Sequence, residues 1–168
     1  VGPWPTPAKD INASGFFVEW NRNKRSISLD MKSPEHQAIA LRLCEAADVV
    51  VDNFSPRVMP SFGLGYDRLR EVNPDVIQCS ISGFGSSGPY VGRPSYDSVA
   101  QALSGFLSVV VDADRPRFLG PALADAITGI YASYGVLGAL VQRGRTGEGC
   151  LVEVSMLEAM SHFAVEPY

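Results

Sequence analysis

Three segments of this 168-residue chain carry residue types that could do chemistry. The first is Asp125, in Gly120-Pro121-Ala122-Leu123-Ala124-Asp125-Ala126-Ile127-Thr128-Gly129, the only acid between Asp114 and Glu148. An acid in the first turn of a helix is favoured by the helix dipole, and on spacing alone that is the commoner explanation. The small, apolar surround adds a second reading. It implies a partly buried carboxylate, held ionised by nearby backbone N–H groups, and such a group can act as a nucleophile. The second segment is the basic run Arg22-Asn23-Lys24-Arg25, with Lys32 close behind. It could bind phosphates, although a solvated charge cluster is the commoner case. The third is Asn53-Phe54-Ser55-Pro56, after an apolar run. If that run is a strand, these residues sit where open α/β sheets place ligands; an ordinary capped strand-to-helix turn explains them as well. The residues alone name no ligand.

A fourth segment, Gly83-Phe84-Gly85-Ser86-Ser87-Gly88, matches the glycine spacing of a dinucleotide-binding turn. That turn must open a helix, whose N-terminus holds the pyrophosphate. Here Pro89-Tyr90 and a further loop follow, and no acid stands at a strand end about 20 residues on. The segment is therefore expected to be a flexible surface loop over a site, and a nicotinamide-dependent oxidoreductase is disfavoured. His36 and His162 have no ligating neighbour at useful spacing, and Cys44, Cys79 and Cys150 form no CxxC pair. We expect no protein-built metal site, and reduced thiols in a cytoplasmic protein.

The elements that must position these residues follow from periodicity. The prolines of residues 1–20 predict an extended arm or loop, with an α/β core over 21–168. Ser26-Ile27-Ser28-Leu29-Asp30 alternates like a half-buried strand. Ser33-Pro34-Glu35 opens a helix with apolar positions through Ala47, and 48–52 is a β-branched strand expected to be buried on both faces. A short helix is expected from Pro56, another over 66–72 and a strand over 76–81. A helix over 97–107, an extended piece from Val109, and a long, largely buried helix over 124–143 follow. The chain closes with a strand over 151–154 and a helix over 156–164 capped by Ser155. This alternation gives an α/β class with a mainly parallel sheet and flanking helices.

Composition narrows the classes further. With 46% hydrophobic and 19% charged residues the chain can bury a core and is not a disordered polar segment. Its net charge of −4 argues against nucleic-acid binding through overall charge, and no apolar run is expected to span a membrane.

Several ordered motifs, taken together, resemble the family III CoA-transferases, which include formyl-CoA and carnitine CoA-transferases. They are Asn23-Lys24-Arg25-Ser26 with Leu29-Asp30, then Ala47-Asp48-Val49-Val50-Val51-Asp52-Asn53-Phe54, Gly63-Leu64-Gly65-Tyr66 and Asn73-Pro74. Ser80-Ile81-Ser82-Gly83-Phe84-Gly85, Gly88-Pro89-Tyr90, Tyr96-Asp97, Gln101-Ala102-Leu103-Ser104-Gly105, Ala124-Asp125 with Gly129, and Arg143 with Thr146-Gly147-Glu148-Gly149 complete them. The resemblance implies a Rossmann-like large domain, of which this chain is an internal piece, in an interlocked homodimer. It implies acyl-CoA and carboxylic acid substrates, with coenzyme A carried as substrate. Asp125 matches the catalytic aspartate, which forms an anhydride and then an aspartyl-CoA thioester. Leu29 to Lys32 and Asn53-Phe54-Ser55 match CoA-contacting segments, and Pro94-Ser95-Tyr96-Asp97 matches a contact segment beside the catalytic carboxylate. One contact position that is usually basic in the formyl-CoA type falls near Ser61. The related α-methylacyl-CoA racemases carry a histidine base where this chain has Tyr96, so the resemblance favours transfer over racemisation. A catalytically silent CoA-binding or assembly module is the remaining alternative.

Overall fold

The structure is a computed structural model that describes residue 4 and residues 14–117 and 120–165. A three-stranded parallel sheet, in the order β1 (Val49–Asp52), β2 (Ile77–Ser82), β3 (Leu151–Ser155), forms its centre. The register pairs Val50 with Gln78 and Ser80 with Glu153. Parallel neighbours need long crossovers, and helices supply them. Helices α2 (Pro34–Glu45), α3 (Val58–Ser61) and α4 (Tyr66–Val72) pack on the face of Val50 and Val76 around Met59, Leu64 and Leu69. On the other face lies the 24-residue helix α7 (Leu123–Thr146), so close that a Cβ at Gly135 would press on the Val152 side chain. Helices α5 (Asp97–Leu103) and α8 (Met156–Phe163) join it around Ala100, Ala124, Ile127 and Met160.

Polar anchors fix these layers. Asn73 ends α4 and donates from Nδ2 to the carbonyls of Cys44 and Ala47, which ties it to the end of α2. The Arg143 guanidinium donates to the carbonyls of Asp48 and Asp75 and to Asp48 Oδ1, so it pins the last turn of α7 beside the starts of β1 and β2. Gly147 ends α7 at φ +74°, the left-handed conformation that glycine adopts without a Cβ penalty. At Gly149 a Cβ would overlap the backbone of Asp75 and Val76, so the motif after Arg143 serves close packing.

Helices α2, α4 and α8 and all three core strands lie where the periodicity places them. Other segments differ. Gly15–Asn21 is helix α1, its N-terminus capped by Ser14, whose Oγ accepts from Phe17 N–H at 3.4 Å. The prolines that predicted an arm there lie outside the described residues. Residues 26–30 form no strand: no described strand lies alongside to share a ladder, and Ile27 is exposed. Val51 is 60% exposed, since β1 is an edge strand that the described helices cover incompletely. The helix expected over 97–107 breaks at Gly105 (φ +81°), and helix α6 (Phe106–Val110) occupies the segment read as extended.

Helix α7 is only half buried. Ile130, Tyr134, Leu137 and Val141 form an exposed apolar stripe. By length and composition α7 could also cross a membrane, which the sequence reading did not anticipate. Its packing on β2, β3, α5 and α8 makes it a core helix instead.

Candidate active site

The parallel strands all point their carboxyl ends at one cavity of about 550 Å³. Asn53-Phe54-Ser55 leave β1, Ser82 and Gly83 end and follow β2, and Met156 follows β3. Asp125 and Thr128 enter from the first turns of α7, and Tyr96 and Asp97 from the start of α5. This is the strand-end crevice in which open α/β sheets hold ligands.

Asp97, not Asp125, occupies the helix terminus. Its Oδ1 accepts from Ala124 N–H at 2.7 Å and from Asp125 N–H at 3.3 Å. Its Oδ2 accepts from Gln101 Nε2 at 2.6 Å, and Gln101 is buried. The N-terminal donors that the sequence reading assigned to Asp125 are therefore taken by another carboxylate. Asp125 is open to the cavity, more exposed than its apolar surround implied. Its pKa is pushed up from the ordinary carboxylate range, first by partial burial and then by the negative charge of Asp97. A carboxylate so destabilised in its ionised form, facing a cavity, has the character of a nucleophile.

The glycine loop completes the wall. Gly83, Phe84 and Gly85 line the cavity, and no helix follows them. A Cβ at Gly83 would overlap that of Ser95, so this position is closed to side chains. Gly83 also gives its carbonyl to Leu157 N–H at 3.1 Å and to the Ser155 hydroxyl. The loop is thus tied to the β3–α8 junction.

Of the residues given a catalytic or CoA-binding role in the sequence, Asn53, Phe54, Ser55, Tyr96, Asp97 and Asp125 come together here. Arg22, Lys24, Arg25, Leu29 and Lys32 do not line the cavity. Arg22 pairs with Glu19 at 3.2 Å, Lys24 reaches Asn21 Oδ1 at 3.5 Å, and Leu29 packs against the α2–α4 core. Arg25 and Lys32 are exposed. Arg93 and Thr128 line the cavity and were not singled out. Arg93 sits directly before the Pro94–Asp97 segment, which was the available signal; Thr128, one turn after Ala124, gives its hydroxyl to the Ala124 carbonyl and looks like a helix residue. Neither histidine is in the wall: His36 Nδ1 accepts from Asp30 N–H, and His162 contacts the Tyr131 hydroxyl.

Known proteins resemble this chain in sequence and fold. The succinate–glutarate CoA-transferase of Agrobacterium fabrum is 41% identical over 150 residues, which is 89% of this chain and 38% of that protein. The succinyl-CoA:mesaconate CoA-transferase of Haloarcula hispanica is 42% identical over 163 residues, 94% of this chain and 41% of that protein. Among solved structures, a CAIB/BAIF family protein from Brucella suis superposes with a TM-score of 0.86 at 37% identity, over 92% of this chain and 41% of the other. The chain therefore spans about 40% of the length of these relatives. The sequence model of CoA-transferase family III matches residues 3–168, and this places the chain: it is a member of CoA-transferase family III.

Proposed function

We propose that the protein carrying this chain moves CoA from an acyl-CoA donor to a carboxylic acid acceptor, with Asp125 as the nucleophile. The observation that carries this reading is Asp125 itself, a carboxylate with a raised pKa facing a strand-end cavity. Its carboxylate oxygen attacks the thioester carbonyl, the C–S bond breaks, and CoA leaves as thiolate with the electron pair. The thiolate then attacks the Asp125 carbonyl of the mixed anhydride and releases the donor acid. The acceptor carboxylate attacks the resulting aspartyl-CoA thioester, and CoA thiolate leaves again. Attack of that thiolate on the acceptor's carbonyl yields the new acyl-CoA and regenerates Asp125. No proton transfer is required in any step.

Asn53, Phe54 and Ser55 stand where the thioester end of CoA would lie against the strand ends. Arg22, Lys24, Arg25 and Lys32 are assigned to the phosphates at the outer end of the same ligand, since all four are solvent-exposed outside the cavity. The named relatives act on succinate, glutarate and mesaconate, all dicarboxylic acids, and this supports a dicarboxylate as acceptor. An interlocked homodimer fits the exposed apolar stripe of α7, which a second subunit or the remainder of the protein would cover.

Racemisation of a 2-methylacyl-CoA needs a base beside the α-carbon. Tyr96, which stands where the racemases carry a histidine, is 75% exposed and points to no such base. The test is Asp125→Ala in the full-length protein. Transfer should fall by at least about a thousandfold, as for loss of a covalent nucleophile. Unchanged transfer sinks the reading, and CoA binding without turnover in the wild type would mark a silent module.

A further inference from the structure

We propose that Arg93 is the specificity residue of the cavity and pairs with the non-reacting carboxylate of a short dicarboxylic acid. The inference rests on the CoA-transferase reading and deepens it. Arg93 is the one cation in the described cavity wall, which also contains Asp97 and Asp125. Its guanidinium makes no ion pair or side-chain hydrogen bond with a described residue. It lies instead over the Tyr90 ring, with Cζ 4.6 Å from the centroid, and its backbone N–H donates to the Tyr90 carbonyl at 3.0 Å. Gly92 at φ +76° and Pro94 bracket it and set the direction of the loop.

Neither carboxylate in the wall is the partner that this cation awaits. Asp97 is committed to Ala124 N–H, Asp125 N–H and Gln101. Asp125 must remain free to attack. A guanidinium stacked on an aromatic ring keeps its in-plane N–H edge available, and that edge matches a planar carboxylate bidentately. The ligand it takes is therefore an anion brought in by the substrate. That anion cannot be the reacting carboxylate, because an oxygen held in a bidentate ion pair is a weaker nucleophile. A second carboxylate on the same molecule satisfies both demands, on the acceptor acid and equally on the acyl group of a donor.

The test compares succinate with butyrate, which has the same four carbons and one carboxylate fewer. Binding to the full-length protein is measured by calorimetry for wild type, Arg93→Gln and Arg93→Lys, with free CoA as a third ligand. Wild type should bind succinate about 10- to 100-fold more tightly than butyrate, the range expected of one charge-assisted bidentate pair. Arg93→Gln should lose that preference and leave butyrate and CoA binding unchanged, and Arg93→Lys should recover part of it. Equal binding of succinate by wild type and Arg93→Gln overturns the proposal. So does a wild type that binds the two acids alike, or a loss confined to CoA, which would make Arg93 a phosphate contact. The transferase reading is judged separately, by whether an acyl-CoA loads CoA onto Asp125 at all, and the binding result is readable either way.

Discussion

The Asp97 carboxylate caps the helix that carries Asp125, accepting from Ala124 N–H at 2.7 Å and from Asp125 N–H at 3.3 Å. One acid thus supports the backbone of the other and, second to partial burial, raises its pKa through charge. Asp97→Asn keeps a cap oxygen and removes the charge, whereas Asp97→Ala removes both. Asp97→Ala should cost about 1 kcal/mol of stability, and Asp97→Asn less. In Asp97→Asn the acid limb of the pH–rate profile should move to lower pH. Thermal unfolding and a pH series on both variants check this; an unmoved limb would remove Asp97 from the tuning of Asp125.

The raised pKa of Asp125 fixes a sign for stability. A carboxyl with a higher pKa in the folded state than in the unfolded one holds its proton more tightly when folded. Its contribution to stability is present below the unfolded pKa, about 3.9, and is lost as pH rises through the folded pKa. Asp125→Asn, which mimics the protonated group, should therefore be more stable than wild type at pH 7 and equal to it near pH 3. Urea unfolding at the two pH values reads the difference, and a pH-independent gap contradicts the account.

Two glycines should respond in opposite directions to alanine. At Gly149 the new Cβ meets the Asp75 and Val76 backbone, which cannot swing aside, so Gly149→Ala should cost about 2–3 kcal/mol. Gly144 lies in α7 with open space around its Cβ direction, and Gly144→Ala should gain about 0.5–1 kcal/mol. Denaturant midpoints decide; a tolerated Gly149→Ala would mean that the 74–76 turn is not packed as described.

The exposed stripe Ile130, Tyr134, Leu137 and Val141 predicts that a polypeptide of residues 1–168 alone self-associates. Sedimentation should show dimers or larger species, and Leu137→Glu should shift them toward monomer. A monodisperse wild-type monomer would contradict this.

The parallel sheet and most of its helices were legible because each carries its own periodicity and stop signals, as in Tyr66–Val72 before Asn73-Pro74. Asp125 was legible as an isolated acid in an apolar run. Its neighbourhood was not, because the Asp97 contact joins residues 27 or 28 positions apart and no local pattern encodes it. Arg93 was hidden for a related reason: only the fold turns its loop toward the strand ends. The Ser26–Asp30 segment misled because alternation reports a conformation, while a strand also requires a neighbour.

The most direct test of the account is intact and peptide mass spectrometry of the full-length protein mixed with an acyl-CoA and no acceptor, with and without hydroxylamine. The account predicts a CoA adduct on the peptide that contains Asp125, its conversion by hydroxylamine to a hydroxamate at that residue, and neither product in Asp125→Ala. An adduct on a different residue, or undiminished CoA transfer by Asp125→Ala, would contradict it.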